Sequence, residues 1–104
     1  MCIMDKKNNF SCSDELIDDN ARKLKVCGHP VRLKLLCLIE RESCCVTELW
    51  KCLDQPQPVI SQHLAVLKKN AIVTSQVEGN RRNYSIQDGF IRNLVQSLGE
   101  NNHQ

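Results

Sequence analysis

Two adjacent cysteines, Cys44 and Cys45, stand in the stretch Glu42–Trp50 (ESCCVTELW), just ahead of what reads as the first turn of a short helix. A thiol near a helix N-terminus has its thiolate favoured by the dipole and by backbone N–H groups without an intrahelical partner, so Cys45 is the most reactive thiol candidate. Thiolates bind soft ions such as As(III), Cd(II) or Pb(II), but a single sulfur does not make a site. Adjacent side chains point in different directions, so Cys44 does not automatically complete one. Cys2 and Cys12, in a polar N-terminal segment, are further thiols that a flexible arm can deliver. The opposing reading is that such residues only pack, because unpaired cysteine is among the most buried residue types. Cys27, Cys37 and Cys52 take that second reading, and Trp50 is likewise read as a packing or turn-edge residue.

A second group of residues has the chemistry of DNA recognition. Gln57, Ser61, Gln62 and His63 cluster in the first turns of a helix, where short polar side chains can reach base edges and phosphates. Gln62 is the foremost base reader. His63, between apolar Ile60 and Leu64, is equally a packed and hydrogen-bonded residue. Arg81 and Arg82, on a loop holding Gly79 and Asn80, have the charge and reach for an adjacent minor groove. Lys68 and Lys69 serve either phosphate or the C-terminal helix dipole. Charge distribution supports a polyanionic partner: residues 20–84 carry 11 Lys/Arg against 5 Asp/Glu, whereas the two ends together carry 3 against 7.

The elements that must position these groups follow from periodicity. With 104 residues and 41% hydrophobic content the chain makes one small domain. Residues 1–13 read as a flexible arm, residues 14–99 as the folded domain and residues 100–104 as a polar tail. Ser13 or Asp14 caps a helix running to about Cys27, with Leu16, Ile17, Ala21, Leu24 and Val26 at helical spacing. Gly28 ends it and Pro30 starts the next. In that second helix Leu35, Leu36 and Ile39 form an apolar stripe, which Leu33, Cys37 and Leu38 widen toward full burial. A short helix from about Val46 to Leu53, the two prolines of Asp54–Pro58 (DQPQP) and a helix from there onward read as helix, turn, helix. Strands Ile72–Val77 and Asn83–Ile86, joined by a five-residue loop from Glu78 to Arg82, read as a hairpin. Ile91, Leu94, Val95 and Leu98 stripe a last helix, and this face, unpaired in so small a domain, predicts a homodimer held by the first and last helices.

The fold class is therefore mainly α with a β-hairpin: a winged helix-turn-helix of five helices and a two-stranded wing. The successive stretches GHPVRLKLL, VTELW, SQHLAVLKKNAIV and VEGNRRNYSI, over roughly residues 20–98, resemble the ArsR/SmtB family of bacterial repressors. That resemblance implies a homodimer that binds a palindromic double-stranded operator and is released by an inducer. The metal-sensing branch carries a Cys-x-Cys pair at the start of its third helix. Here the aligned residues are Cys45-Val46-Thr47-Glu48-Leu49, so the first cysteine is kept and the second is Thr47, a poor ligand for soft ions. The resemblance implies that an arm thiol, Cys2 or Cys12, completes the set, possible inducers being As(III), Cd(II), Pb(II) or Zn(II). The zinc-type site on the last helix looks absent, since Asp88 is followed by Phe90 where a histidine is required, and His103 lies alone in the tail. Another branch senses persulfides or oxidants through one cysteine in the second helix and one in the last; Cys37 matches the first, and the last helix has none.

Three alternatives stay open: a soft-ion sensor through Cys45, a persulfide or oxidant sensor through Cys37 and another cysteine, and a repressor whose sensing site has decayed. A small thiol enzyme with Cys45 as nucleophile and His63 or His29 as base is the contrary class. The absence of a glycine-rich phosphate loop or a His/carboxylate set with catalytic spacing argues against it, so the chain reads as no enzyme, needing no cofactor for DNA binding and acting on no small organic substrate. Seven cysteines is an odd number, no N-terminal run resembles a secretion signal, and no segment nears the roughly 20 apolar residues that span a bilayer. A cytoplasmic location, where thiols stay reduced and no membrane is involved, is the expectation.

Overall fold

The computed structural model describes residues 13–42, 51 and 53–101. Among these, the order of elements is α1 (Asp14–Cys27), α2 (Pro30–Glu42), α3 (Gln57–Lys69), β1 (Val73–Glu78), β2 (Arg81–Ile86) and α4 (Gly89–Asn101). Four of the five expected helices are thus described. The short helix expected from about Val46 to Leu53 lies largely outside the described residues, although Lys51 and Leu53 are helical. The arm as far as residue 12 and the tail beyond residue 101 lie outside them too. No helix among the described residues is long and apolar enough to cross a membrane.

Three of the four described helices start with a side chain that accepts from backbone N–H groups the helix itself leaves unpaired. Ser13 is the N-cap of α1: its Oγ accepts from Leu16 N at 3.0 Å, and Asp14 and Glu15 occupy the dipole's positive end. His29 does the same for α2, its Nδ1 accepting from Val31 N at 3.1 Å ahead of Pro30. Asp88 opens α4, with Oδ2 accepting from Ile91 N at 2.9 Å. Gly28 closes α1 at φ −81°, so the left-handed conformation that favours glycine is not used here. Its value is proximity, since a Cβ would stand 3.1 Å from Leu24 O.

The core is made by one face of each element. Leu35, Leu36 and Ile39 of α2 meet Ile60, Leu64 and Leu67 of α3, the strand residues Val73 and Ile86, and Ile91 and Val95 of α4. Full burial of α2 does not occur: Leu33, Cys37 and Leu38 are only partly covered. On α1 the apolar residues behave differently from those of the other helices. Leu16, Ile17 and Leu24 are 47%, 42% and 44% exposed, and only Cys27 is buried. Polar ties compensate, with Lys23 bridging Asp19 of its own helix and Asp88 at the start of α4. Glu40 of α2 accepts from Gln96 of α4 at 2.8 Å and faces Arg92 at 3.7 Å.

The end of α3 fixes the approach of the wing. Asn70 is the C-cap and its Nδ2 donates to Val66 O at 2.8 Å, while Ala71 takes φ 62°. Ala71 N donates to Lys68 O and Ile72 N to Leu67 O, both at 3.0 Å, the paired bonds of a Schellman motif. The apolar contact that accompanies such motifs is supplied by Leu67 and Ile72, both fully buried. The hairpin differs from the five-residue loop expected at residues 78–82. β1 and β2 pair from Val73↔Ile86 to Glu78↔Arg81, leaving only Gly79 and Asn80 in the turn. Gly79 adopts φ 63° and Asn80 does not, as in a two-residue turn with glycine in the first central position. Arg81 and Arg82 therefore begin a strand and are not loop residues.

Ala71 holds a left-handed conformation that costs an L-residue about 1 kcal/mol and a glycine almost nothing. Ala71→Gly should stabilise the fold by up to about 1 kcal/mol in chemical denaturation, discounted for the greater entropy of the unfolded glycine. A destabilised variant would contradict the closure described.

Candidate nucleic-acid interface

Helix α3 buries Ile60, Leu64 and Leu67 at intervals of three to four residues, which turns the intervening positions outward. Gln57, Ser61 and Gln62 are exposed along its first half. Pro56 and Pro58 start the helix without a side-chain cap, so the N–H groups of its first turn are not spent on a capping side chain. Lys68, at the far end, is exposed and donates to Ser75 Oγ of β1 at 3.0 Å, so it braces the wing against the helix. Arg81 and Arg82 are exposed on β2, and as successive strand residues they face opposite sides of the ribbon. Asn83 Nδ2 donates across the ribbon to Glu78 Oε1 at 3.1 Å.

His63 differs from its neighbours, being half-buried and hydrogen-bonded. Its Nδ1 accepts from Arg32 Nε at 3.1 Å, and Arg32 also donates through Nη1 to Val26 O at the end of α1, again at 3.1 Å. The His29 ring lies against it, centroids 4.6 Å apart and planes tilted by 50°. Burial, then His29, then Arg32 hold the His63 imidazole below its ordinary pKa. Arg32 was not among the residues that the sequence singled out, and no local signal would have found it, because its partner is 31 positions away. Asn70 was missed for a similar reason: besides capping α3, its Oδ1 accepts from Arg22 Nη1 of α1 at 2.8 Å.

The thiols divide into two sets. Cys2, Cys12, Cys44, Cys45 and Cys52 lie outside the described residues, as do Thr47, Trp50 and His103. Cys27 is buried, and burial pushes its thiol up to about 11. Cys37 is half-buried, not the buried packing residue expected, and borders an apolar groove of about 520 Å³ walled by Leu33, Leu38, Leu53 and Leu98. Burial raises its thiol too, against a smaller lowering by Arg41. Among the described residues no three His, Cys, Asp or Glu side chains come together to hold a metal ion. Asp88, at the position of the zinc-type site on the last helix, is instead engaged by Lys23 and by the first turn of α4.

The family model described as bacterial regulatory protein, arsR family, matches residues 29–75. An uncharacterized HTH-type transcriptional regulator of Methanocaldococcus jannaschii is 37% identical over 87 residues, covering 83% of this chain and 98% of that protein. The arsenical resistance operon repressor of Staphylococcus xylosus is 32% identical, the match covering 72% of each chain. Among solved structures, a homodimeric winged helix-turn-helix DNA-binding domain from Mycobacterium bovis superposes with a TM-score of 0.71 at 24% identity. It covers 88% of this chain and 87% of that one, which shows the fold.

Burial of Cys27 has a measurable consequence. Its folded pKa, about 11, lies above the ordinary 9.0, so the folded state keeps a proton that the unfolded chain releases first. That contribution to stability is complete below about pH 9 and is lost as pH rises toward 11. Denaturation midpoints should therefore fall over this alkaline window, less so in Cys27→Ala. Alkylation of Cys27 at about pH 8, followed by mass spectrometry, should proceed only on unfolding; equal labelling in buffer and in urea would contradict its burial.

Proposed function

Because the chain belongs to the ArsR/SmtB family of winged helix-turn-helix transcriptional repressors, we propose that it binds a palindromic operator as a homodimer and releases it when a soft metal(loid) ion occupies its thiols. One observation carries the DNA-binding part: α3 buries one face and turns Gln57, Ser61 and Gln62 outward, beside a hairpin bearing Arg81 and Arg82. Side chains of that kind on a helix lying in the major groove read base edges, with Gln62 the main reader, while the wing arginines engage phosphates or the neighbouring minor groove. Lys68 contributes through its grip on Ser75 and His63 from behind the reading face.

The dimer reading is supported by the exposed Leu16, Ile17 and Leu24 of α1 and the 39% exposed Phe90 of α4, an apolar surface that a lone protomer leaves wet. The Mycobacterium bovis domain of the same fold is described as homodimeric. Two copies related by a two-fold axis present two recognition helices to two half-sites.

For the inducer, the reading rests on the sequence alone, which expects Cys45 just ahead of a helix, completed by Cys44 or by Cys12 or Cys2. The Staphylococcus xylosus relative, named as an arsenical resistance operon repressor, supports As(III) among the candidate ions. Cys37 is a weaker sensing thiol, because burial keeps it protonated and the described part of α4 offers no second cysteine.

Gln62→Ala should cost about 1–3 kcal/mol of operator binding and relax sequence preference, whereas Arg81→Ala/Arg82→Ala should weaken all duplexes and flatten the salt dependence. Anisotropy titrations at several salt concentrations separate the two effects, and wild-type affinity in both variants would refute the interface. As(III) or Cd(II) should lower operator affinity some 5–150-fold, the range of a coupling of about 1–3 kcal/mol. Cys45→Ser should abolish this response while still binding DNA. Release unchanged in Cys45→Ser, compared beside Cys44→Ser and Cys12→Ser, would make these thiols structural.

A further inference from the structure

We propose that Arg32 is a positioning residue for DNA binding, setting the recognition helix through a hydrogen bond that exists only while His63 is neutral, so that operator affinity falls as the medium becomes acid. The proposal rests on α3 being the recognition helix. Arg32 joins three parts of the fold: its own helix α2, the last carbonyls of α1 through Val26 O, and α3 through His63 Nδ1. The carbonyl bond anchors the guanidinium, leaving Nε to define where His63 sits. His63 follows Gln62 directly and precedes buried Leu64, so a contact that holds His63 also fixes the rotation of the helix about its axis. Gln62 is presented outward by that same rotation.

The chemistry makes the contact conditional. A guanidinium only donates and does not lose its proton in proteins, so the bond requires a lone pair on Nδ1 and places the imidazole proton on Nε2. A second proton on His63 turns Nδ1 into a donor facing a donor, beside a like charge. Among the described residues, the charged or titratable groups acting on His63 are His29, from the corner before α2, and Arg32, from α2 itself, with no carboxylate among them to accept the new charge. His29 offers no relief, since its own Nδ1 is committed to Val31 N and its ring lies against His63. The depressed pKa of His63 agrees with this geometry. Because burial, His29 and Arg32 hold His63 below the ordinary histidine range, it takes a second proton only in more acid medium, and when it does it must leave Arg32 and the helix loses its register.

The test uses the full chain and a duplex that the wild-type protein selects from a random pool at about pH 7.5, with a scrambled duplex as reference. For the wild type, the ratio of selected to scrambled affinity should hold steady from about pH 7.5 to the ordinary histidine range and fall only below it, by up to about tenfold toward about pH 5, the scale of one charge-assisted hydrogen bond. His63→Asn keeps an acceptor at the Nδ1 position and cannot titrate, so its affinity for the selected duplex, relative to its own value at about pH 7.5, should show no acid loss. Arg32→Met should lose about tenfold at about pH 7.5 with an unchanged salt slope, and Arg32→Met/His63→Asn should be no weaker than Arg32→Met alone. An acid loss that persists in His63→Asn, wild-type binding by Arg32→Met, or a salt slope reduced by about one phosphate in that variant would overturn the proposal. If circular dichroism shows Arg32→Met unfolded, the His63→Asn pH series decides alone. An indifferent Gln62→Ala would instead remove the recognition-helix assignment itself.

Discussion

Ile72 joins the recognition helix to the rest of the molecule. Its N–H closes α3 on Leu67 O, and its side chain is fully buried against the core. Its carbonyl accepts from Gln87 N at 2.9 Å and from Asp88 N at 3.4 Å, which draws the end of the hairpin back to where the hairpin began. Asp88 in turn caps α4 and pairs with Lys23 of α1. One residue therefore relays the orientation of the recognition helix to the wing, the last helix and the first. A helix end without such bonds would leave backbone groups unpaired in an apolar interior, at a cost of about 1–3 kcal/mol each. The left-handed Ala71 is tolerated because this network holds it in place.

Much of this was legible in the sequence, and for physical reasons. Helix boundaries announce themselves through residues that satisfy or remove terminal N–H groups, which is why Ser13, Pro30 and the prolines at the start of α3 marked their elements. The stripe of α4 was visible because periodicity of about 3.6 is a property of the sequence itself, but it was assigned to the wrong partner: Ile91 and Val95 are buried in the protomer's own core and are not left unpaired for a second copy, the exposed apolar residues lying on α1 instead. The hairpin was recognised but its loop was set too long. The four polar residues around Gly79 look alike to a pattern, and only cross-strand pairing shows that Glu78, Arg81 and Arg82 belong to the ladder.

What escaped was long-range and polar. Histidine beside a proline reads as a corner, and histidine inside a helix as a reader or a packed ring; nothing in either segment says that the two rings touch. Arg32 carried no signal of its own in the sequence, yet it serves two acceptors on two other elements. Cys37 was misjudged for another reason. A strongly apolar helix suggested burial all round, whereas α2 has one face against the core and another bordering an open groove.

The exposed apolar residues of α1 bear on the life of the molecule in a cell. A helix that buries only Cys27 within its own protomer derives limited hydrophobic stabilisation there, since each half-exposed leucine or isoleucine forgoes about half of the roughly 1.5–3 kcal/mol that full burial supplies. That stabilisation is deferred to whatever later covers the helix, and so it obeys mass action. At low copy number a newly made chain spends more of its time with α1 poorly supported, open to fraying and to proteases. As copies accumulate the same helix becomes protected. Turnover of the polypeptide then depends on its own abundance, which sharpens the threshold between too little regulator to occupy DNA and enough.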